Sequence, residues 1–281
     1  MALKLMYITN KPAVAEIVES SGVDWVFIDM EFIGKDKRQQ GLDTVKNHHT
    51  VKDIQNIKAV VKQAKVLVRV NPIHEALSDY PSSKDEIDQT IEAGADIIML
   101  PFFKTVEEVR TFISLVNGRA KTLLLLETVE AANLIDDILE VPGIDYIHLG
   151  LNDMHLELGM HFMFELLADG TVERLGSKIK AKGIPFGFGG IATLKGGALP
   201  GSMVLKEHVR LGSSMVIVSR TFCNTDMITD LKEVKSIFEG GLLGLRTLEK
   251  EVADADADYF EENRKAVIKA VNSIAGTNYS Y

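Results

Sequence analysis

LLLLETVEAANLIDDILEVPGIDYIHLGLNDMH, running from Leu123 to His155, opens with four leucines that Glu127 and Thr128 close. So short an apolar run, cut off by polar residues, reads as a buried strand of a parallel sheet with Glu127 at its carboxyl end. From Glu130 to Leu139, Ala131, Leu134, Ile135 and Ile138 recur on one helical face, and Pro142-Gly143 stops the helix. Ile144 to Leu149 is the next strand, ending in Gly150-Leu151-Asn152-Asp153. Two carboxylates, Glu127 and Asp153, therefore end neighbouring parallel strands on one rim, where α/β sheets hold their sites. Two oxygen ligands suit Mg²⁺ or Mn²⁺, which leave positions for water and for a substrate's own oxygens. The plain structural alternative makes Glu127 a cap and Asp153 a solvated loop acid.

The same strand–helix unit recurs along the chain. Gly22-Val-Asp24, Gly94-Ala-Asp96, Gly143-Ile-Asp145, Gly183-Ile-Pro185 and Gly212-Ser-Ser each end a helix and open a strand. Glycine takes the left-handed position there without a Cβ clash. The predicted strands are Leu3–Ile8, Trp25–Met30, Val66–Val70, Ile97–Leu100, Thr122–Leu126, Tyr146–Leu149, Pro185–Phe188 and Met215–Val218. Predicted helices between them span Ala13–Ser20, Val51–Gln63, Lys84–Glu92, Val106–Val116, Asn133–Leu139, Val172–Ala181 and Val204–Arg210. The pattern is a (β/α)8 TIM barrel, one domain over residues 1–281, with an extended C-terminal helical segment. That segment, about 226–281, exceeds what one closing helix needs, and the excess is expected to pack in an oligomer.

Composition narrows the partners. A net charge of −9 argues against nucleic acid and against an anionic membrane surface. The single cysteine, Cys223, allows neither an internal disulfide nor a thiolate cluster. The opening MALKLMYITNKPAV is too briefly apolar for a signal peptide, and no apolar run reaches membrane length. A cytoplasmic protein acting on a small molecule is the expectation.

Strand alternation sorts the remaining polar groups. In VLVRVNP, Arg69 faces away from Val68 and Val70 at the end of a strand and expects a planar anion: either a bound carboxylate or a structural salt bridge in the barrel mouth. Asp29 and Glu31 share a face and approach the same rim. His148 reads as a barrel-interior histidine, while His155 and His161 follow Asp153 as outer supports. Ile33–Thr50 is a long loop on the catalytic rim, either a lid or a disordered insertion, returning at His48-His49 before a helix capped by Thr50 with Asp53. Histidine carries protons near neutral pH, and His49, held beside the cap, is favoured over His48 as a base.

Asp29-Met-Glu31, Val68-Arg69-Val-Asn-Pro72, Glu92-Ala-Gly94-Ala-Asp96 with Leu100-Pro101, Leu126-Glu127-Thr128 and Gly143-Ile-Asp145 leading to Asp153 together resemble the HpcH/HpaI aldolase and citrate lyase beta superfamily. The likeness runs from about Leu5 to Arg220. It implies a metal-dependent class II aldolase that cleaves or forms a 4-hydroxy-2-oxo acid, giving pyruvate and an aldehyde. It also implies a homo-oligomer such as a hexamer and a divalent cation, Mg²⁺, Mn²⁺ or Co²⁺. Matched position by position, Glu127 and Asp153 take the metal-ligand places and Arg69 that of the pyruvate-contacting arginine. Gly150, Leu151 and Asn152 fall on the loop that receives the keto-acid carboxylate, and Glu92 stands at a catalytic acid position.

Departures accompany the likeness. Phe32 occupies the place of the catalytic histidine, so the base falls to His49, His48 or a water on the cation. Glu92 replaces an aspartate. Gly150-Leu-Asn-Asp-Met154 changes the shape beside the metal, and Asn117-Gly-Arg-Ala shortens a loop that covers substrate. Lys104 and Lys121 lie in charged contexts, which argues against imine chemistry. The alternatives are an acyl-CoA lyase of the citrate lyase beta type and a non-catalytic barrel binding a keto acid or phosphosugar. Gly187 to Gly190 and Ser219-Arg220 stand where such barrels grip phosphate.

Overall fold

The computed structural model describes residues 2–35 and 49–280. Eight parallel strands close into a barrel in sequence order: β1 Lys4–Ile8, β2 Trp25–Asp29, β3 Lys65–Arg69, β4 Ile97–Leu100, β5 Lys121–Leu126, β6 Tyr146–Leu149, β7 Phe186–Ile191 and β8 Met215–Val218. Around them run α1 Pro12–Ser20, α2 Val51–Val60, α3 Ser83–Glu92, α4 Val106–Val116, α5 Val129–Asn133, α6 Ile135–Ile138, α7 Leu151–Glu157, α8 Glu165–Ala168, α9 Thr171–Ala181, α10 Gly201–Leu211, α11 Leu231–Glu251 and α12 Ala257–Ala275. The (β/α)8 barrel with added C-terminal helices stands as expected. Among the described residues no helix is long and apolar enough to cross a membrane.

Alternation along the strands separates two apolar layers. Met6, Trp25, Phe27, Leu67, Met99 and Leu123 fill the barrel, and Trp25 meets Tyr146 edge to face across its floor. Val26, Ile28, Val66, Val68, Ile98 and Leu124 point outward into the sleeve beneath the helices. Continuing the inward series by two residues brings Asp29, Arg69, Glu127 and His148 to the mouth.

All five glycines of the recurrent unit have positive φ, from 67° at Gly212 to 106° at Gly94. The aspartates of that unit have a matching task. Asp24 accepts the N–H of Leu5, Asp96 that of Val66 and Asp145 that of Thr122, at 2.8–2.9 Å. Each carboxylate thus ties the start of its own strand to the strand before it.

Beyond shifts of a few residues at helix ends, three regions differ from expectation. β7 runs on through Gly189-Gly190 to Ile191, with a bulge between Gly187 and Gly190 opposite β8, because pairing of Gly190 and Ile191 with β8 overrides glycine's weak strand propensity. The predicted helix Asn133–Leu139 is two short ones, α5 and α6, broken at Leu134 (φ −95°, ψ 13°). The segment after β6 carries the unpredicted helices α7 and α8. At the C-terminus, α11 buries Val234, Phe238, Leu242 and Leu245, and α12 buries Val267, Ile268 and Val271, all within this chain's own apolar layer.

Candidate active site

A cleft of about 990 Å³ opens at the carboxyl ends of the strands. Glu127, directly after β5, is buried, and its Oε1 accepts the N–H of Phe102 at 3.0 Å. Phe102 holds φ at +48°, a left-handed conformation that costs a non-glycine residue about 1 kcal/mol or more. Gly150 makes room on the other side: a Cβ there would lie 2.6 Å from Glu127 Cβ and 2.9 Å from its Oε2. Asp153, half-buried in the first turn of α7, lines the same cleft. Among the described residues no three His, Cys, Asp or Glu side chains converge on a metal position. Glu127 and Asp153 line one cleft, and two carboxylates are a donor set that fits a hard divalent cation whose other positions go to water and substrate oxygens.

Arg69 points into the mouth, but its fork is engaged. Nε and Nη2 donate to the two oxygens of Asp29 at 2.8 Å each, and Nη1 lies 3.3 Å from Glu31. Burial disfavours its charge; Asp29, then Glu31, outweigh that and hold its pKa well above the ordinary value. Only the N–H groups left on Nη1 and Nη2 remain for a ligand. A second cation joins from a residue that strand periodicity cannot locate. Lys35 reaches back from the loop, 3.2 Å from Asp29 and 3.5 Å from Glu31, with a side chain only 7% exposed. It lines the cleft as Arg69 does.

His49 also lines it, where the chain re-enters the described residues; His48 lies outside them. The Thr50–Asp53 capping box at the start of α2 is present, as expected. The Nδ1 of His49 accepts the backbone N–H of Asp29 at 3.0 Å. An amide N–H has no other role, so neutral His49 carries its proton on Nε2 and offers a donor. Burial lowers its pKa more than the charge of Asp29 raises it, which favours that neutral form. This tautomer leaves Nε2 a donor, whereas the expected role of base calls for an acceptor. Moving the proton to Nδ1 would set two N–H groups against each other, at a cost of about 1–3 kcal/mol.

The other expected residues divide. Gly150, Leu151 and Asn152 all line the cleft, although the Leu151 side chain is buried in the sleeve. Glu92 does not reach the site: it is the exposed last residue of α3, at the end of the barrel where strands begin. A helix that leads into a parallel strand ends on the opposite rim from the cleft, which is the physical reason for this correction. His148 is barrel-interior and lines the cleft, its Nε2–H donating to the Gly189 carbonyl at 3.0 Å. Burial pushes its pKa down to about 4. His155 bonds to Leu151 O within its own helix; neither it nor His161 lines the cleft.

Phe32 packs edge to face on Tyr80 and faces a neighbouring pocket of about 430 Å³ that it shares with His49 and Glu86. Asn71, just past β3, organises this wall. Its Oδ1 accepts the N–H of both Phe32 and Ile33 at 2.9 Å, while its Nδ2 donates to Glu86 at 2.8 Å. Burial raises the pKa of Glu86, and Tyr80 donates to it at 2.9 Å.

Residues 4–166, more than half of the chain, match the family described as HpcH/HpaI aldolase/citrate lyase. A 2-keto-3-deoxy-L-rhamnonate aldolase from Escherichia coli strain 536 is 23% identical over 205 residues, which is 60% of this chain and 68% of that protein. An HpcH/HpaI aldolase/citrate lyase family protein from Burkholderia cenocepacia J2315 shares the fold with a TM-score of 0.61 at 16% identity, over 83% of this chain and 95% of its own. An HpcH/HpaI aldolase from Desulfitobacterium hafniense DCB-2 does so at 0.57 and 18%, over 83% and 93%.

Proposed function

This chain belongs to the HpcH/HpaI aldolase/citrate lyase family, and from that premise we propose that it is a divalent-metal-dependent aldolase cleaving or forming a 4-hydroxy-2-oxo acid, with pyruvate and an aldehyde as the smaller partners. The observation that carries the reading is the pair Glu127 and Asp153 in one cleft, which the guanidinium of Arg69 also lines. The two carboxylates would hold the cation. The chemistry a divalent cation supplies when bound is charge stabilisation of an enolate derived from the oxo acid.

The chain's own groups do the rest. Phe102 and Gly150 fix the Glu127 carboxylate, one by a donated N–H and the other by leaving space. Arg69 presents positive charge and its remaining N–H groups to the acid end of the substrate, while Asp29 locks its orientation. Neutral His49 donates from Nε2 to an oxygen, the role open to an imidazole that keeps its proton. In cleavage that oxygen is the one on C4, and as the C3–C4 bond breaks the 4-hydroxyl proton passes to solvent water in the cleft while His49 keeps its own.

The test is exchange of pyruvate methyl protons with D₂O, followed by NMR with Mn²⁺ or Mg²⁺ and with chelator. Pyruvate release from a panel of 4-hydroxy-2-oxo acids is measured alongside. Cation-dependent exchange and release are expected; neither with any cation or acid would overturn the reading. In the same assay His49→Gln, which can still donate, should lose about tenfold or less, whereas His49→Leu should lose about 10²-fold or more. Equal losses would return His49 to the role of base.

A further inference from the structure

The cleft is larger than pyruvate and a short aldehyde require. Its roughly 990 Å³ lies at the upper end of ordinary ligand pockets, about 300–1,000 Å³, and it extends from Glu127 and Asp153 across the barrel mouth to the ends of β7, β8 and β1. The two halves differ in charge. The β2–β6 half holds the acids Asp29, Glu127 and Asp153 against Arg69 and Lys35, whereas the β8–β1 half holds Lys11 and Arg220 against Asp226 alone.

In that second half Lys11 is already committed. Its ammonium lies 2.8 Å from Asp226 Oδ1 and 2.8 Å from the Thr225 carbonyl. Arg220, just past β8, is exposed at the edge of the cleft and forms no hydrogen bond or ion pair among the described residues, whereas Lys11, the other cation of this half, is paired with Asp226. The wall around it is built. Tyr7 donates to the Cys223 carbonyl at 2.9 Å and meets Thr225 Oγ1 at 3.1 Å, pinning the segment that follows Arg220. The Ser219 and Thr221 hydroxyls, one on each side of Arg220, meet at 2.7 Å. Opposite them the β7 bulge presents Gly189 and Gly190, bare backbone held by the His148 hydrogen bond to Gly189 O. A barrel's β7 and β8 ends, with glycine backbone, hydroxyls and a free guanidinium, form the kind of surface that takes an oxyanion.

We propose that this half of the cleft is a distal anion subsite, with Arg220 as its anchor, which holds a terminal carboxylate or phosphate on the aldehyde half of the substrate. The proposal rests on the aldolase reading for what the anion is attached to. The subsite itself does not depend on that reading, and the test separates the two.

Inorganic phosphate and, separately, succinate are titrated calorimetrically into the full-length wild type, Arg220→Ala and Arg220→Lys at fixed ionic strength. Oxalate with Mn²⁺ is titrated into the same samples to report the keto-acid end. Arg220→Ala should weaken the preferred anion about tenfold or more and Arg220→Lys by less, since lysine keeps the charge but not the fork. Phosphate binding more tightly assigns a phosphorylated aldehyde, succinate a carboxylated one. Binding of both anions unchanged by Arg220→Ala, or no binding of either to the wild type, overturns the subsite. Arg220-dependent anion binding without any oxalate binding would keep the subsite and sink the aldolase reading.

Discussion

The two ends of this barrel carry acids at comparable positions and use them differently. At the end where strands begin, Asp24, Asp96 and Asp145 each accept one backbone N–H, and each pairs with a partly exposed lysine: Lys4, Lys58 or Lys121, at 2.7–2.9 Å. Their side chains stay 23–28% exposed, and the arrangement repeats three times. At the other end Asp29 and Glu31 are 1% and 2% exposed and share Arg69 and Lys35, an arrangement not repeated among the described residues. A partly exposed acid that accepts one local N–H and pairs with solvated cations explains itself as structure. Buried acids sharing their cations beside a cleft do not, because burial of charge is costly and a shared partner repays it incompletely. That asymmetry marks the functional end more sharply than the number of acids does.

The comparison breaks first at Glu127. Glu127→Gln keeps the shape and can still accept the Phe102 N–H, so the fold should survive with its thermal midpoint nearly unmoved. Mn²⁺ affinity, read by paramagnetic resonance, should fall by about a hundredfold or more, at least what outer partners of a metal ligand contribute. An unchanged affinity would reduce Glu127 to a cap on β4 and make the two ends alike.

Next comes the cost of removing a cation from each end. Arg69→Met strips the buried Asp29 and Glu31 of their guanidinium partner, and urea denaturation should show a loss of about 3 kcal/mol or more. Lys58→Met at the other end removes an exposed partner of Asp96 and should cost under about 1 kcal/mol. Similar losses would mean that the groups left around both acids suffice for them and that the mouth is no more strained than the floor.

How far the chain announced this arrangement follows from which signals are periodic. The barrel, the capping box at Thr50 and the inward placement of Arg69, Glu127 and His148 all follow from alternation and strand ends, and those periods survive folding. Lys35 could not be placed, since its loop has no period and it is charge pairing with Asp29 and Glu31 that turns it inward. The positive φ of Phe102 is equally silent, because no residue type signals a left-handed turn that only a neighbouring carboxylate makes worthwhile. Gly189-Gly190 reads as loop by composition, and it is the resumed pairing of Gly190 and Ile191 with β8 that makes it strand. Glu92 is the instructive error. Motif likeness placed it at the active end, yet the alternation that identifies the helix ending there already puts it on the opposite rim. The tautomer of His49 needed the observed hydrogen bond from Asp29.

The smallest expected effect sharpens the comparison best, because it asks whether the regular end is purely structural. Asp96 Oδ2 both accepts the Val66 N–H at 2.8 Å and meets Lys58 at 2.7 Å, so one substitution confounds two interactions. Asp96→Ala removes both; Asp96→Asn retains an oxygen for the N–H and discards the charge. The hydrogen bond involves a partly buried backbone donor at the start of β3, and leaving it unpaired should cost about 1–2 kcal/mol. The ion pair is solvated and should be worth a few tenths. Asp96→Ala should therefore lower stability by about 1–2 kcal/mol and quicken amide exchange at Val66, whereas Asp96→Asn should lie near the wild type in both. Pyruvate exchange should be untouched in either, since Asp96 lies at the barrel end opposite the cleft. If Asp96→Asn proves as harmful as Asp96→Ala, the lysine contact carries the stability, and the floor is held by charge much as the mouth is.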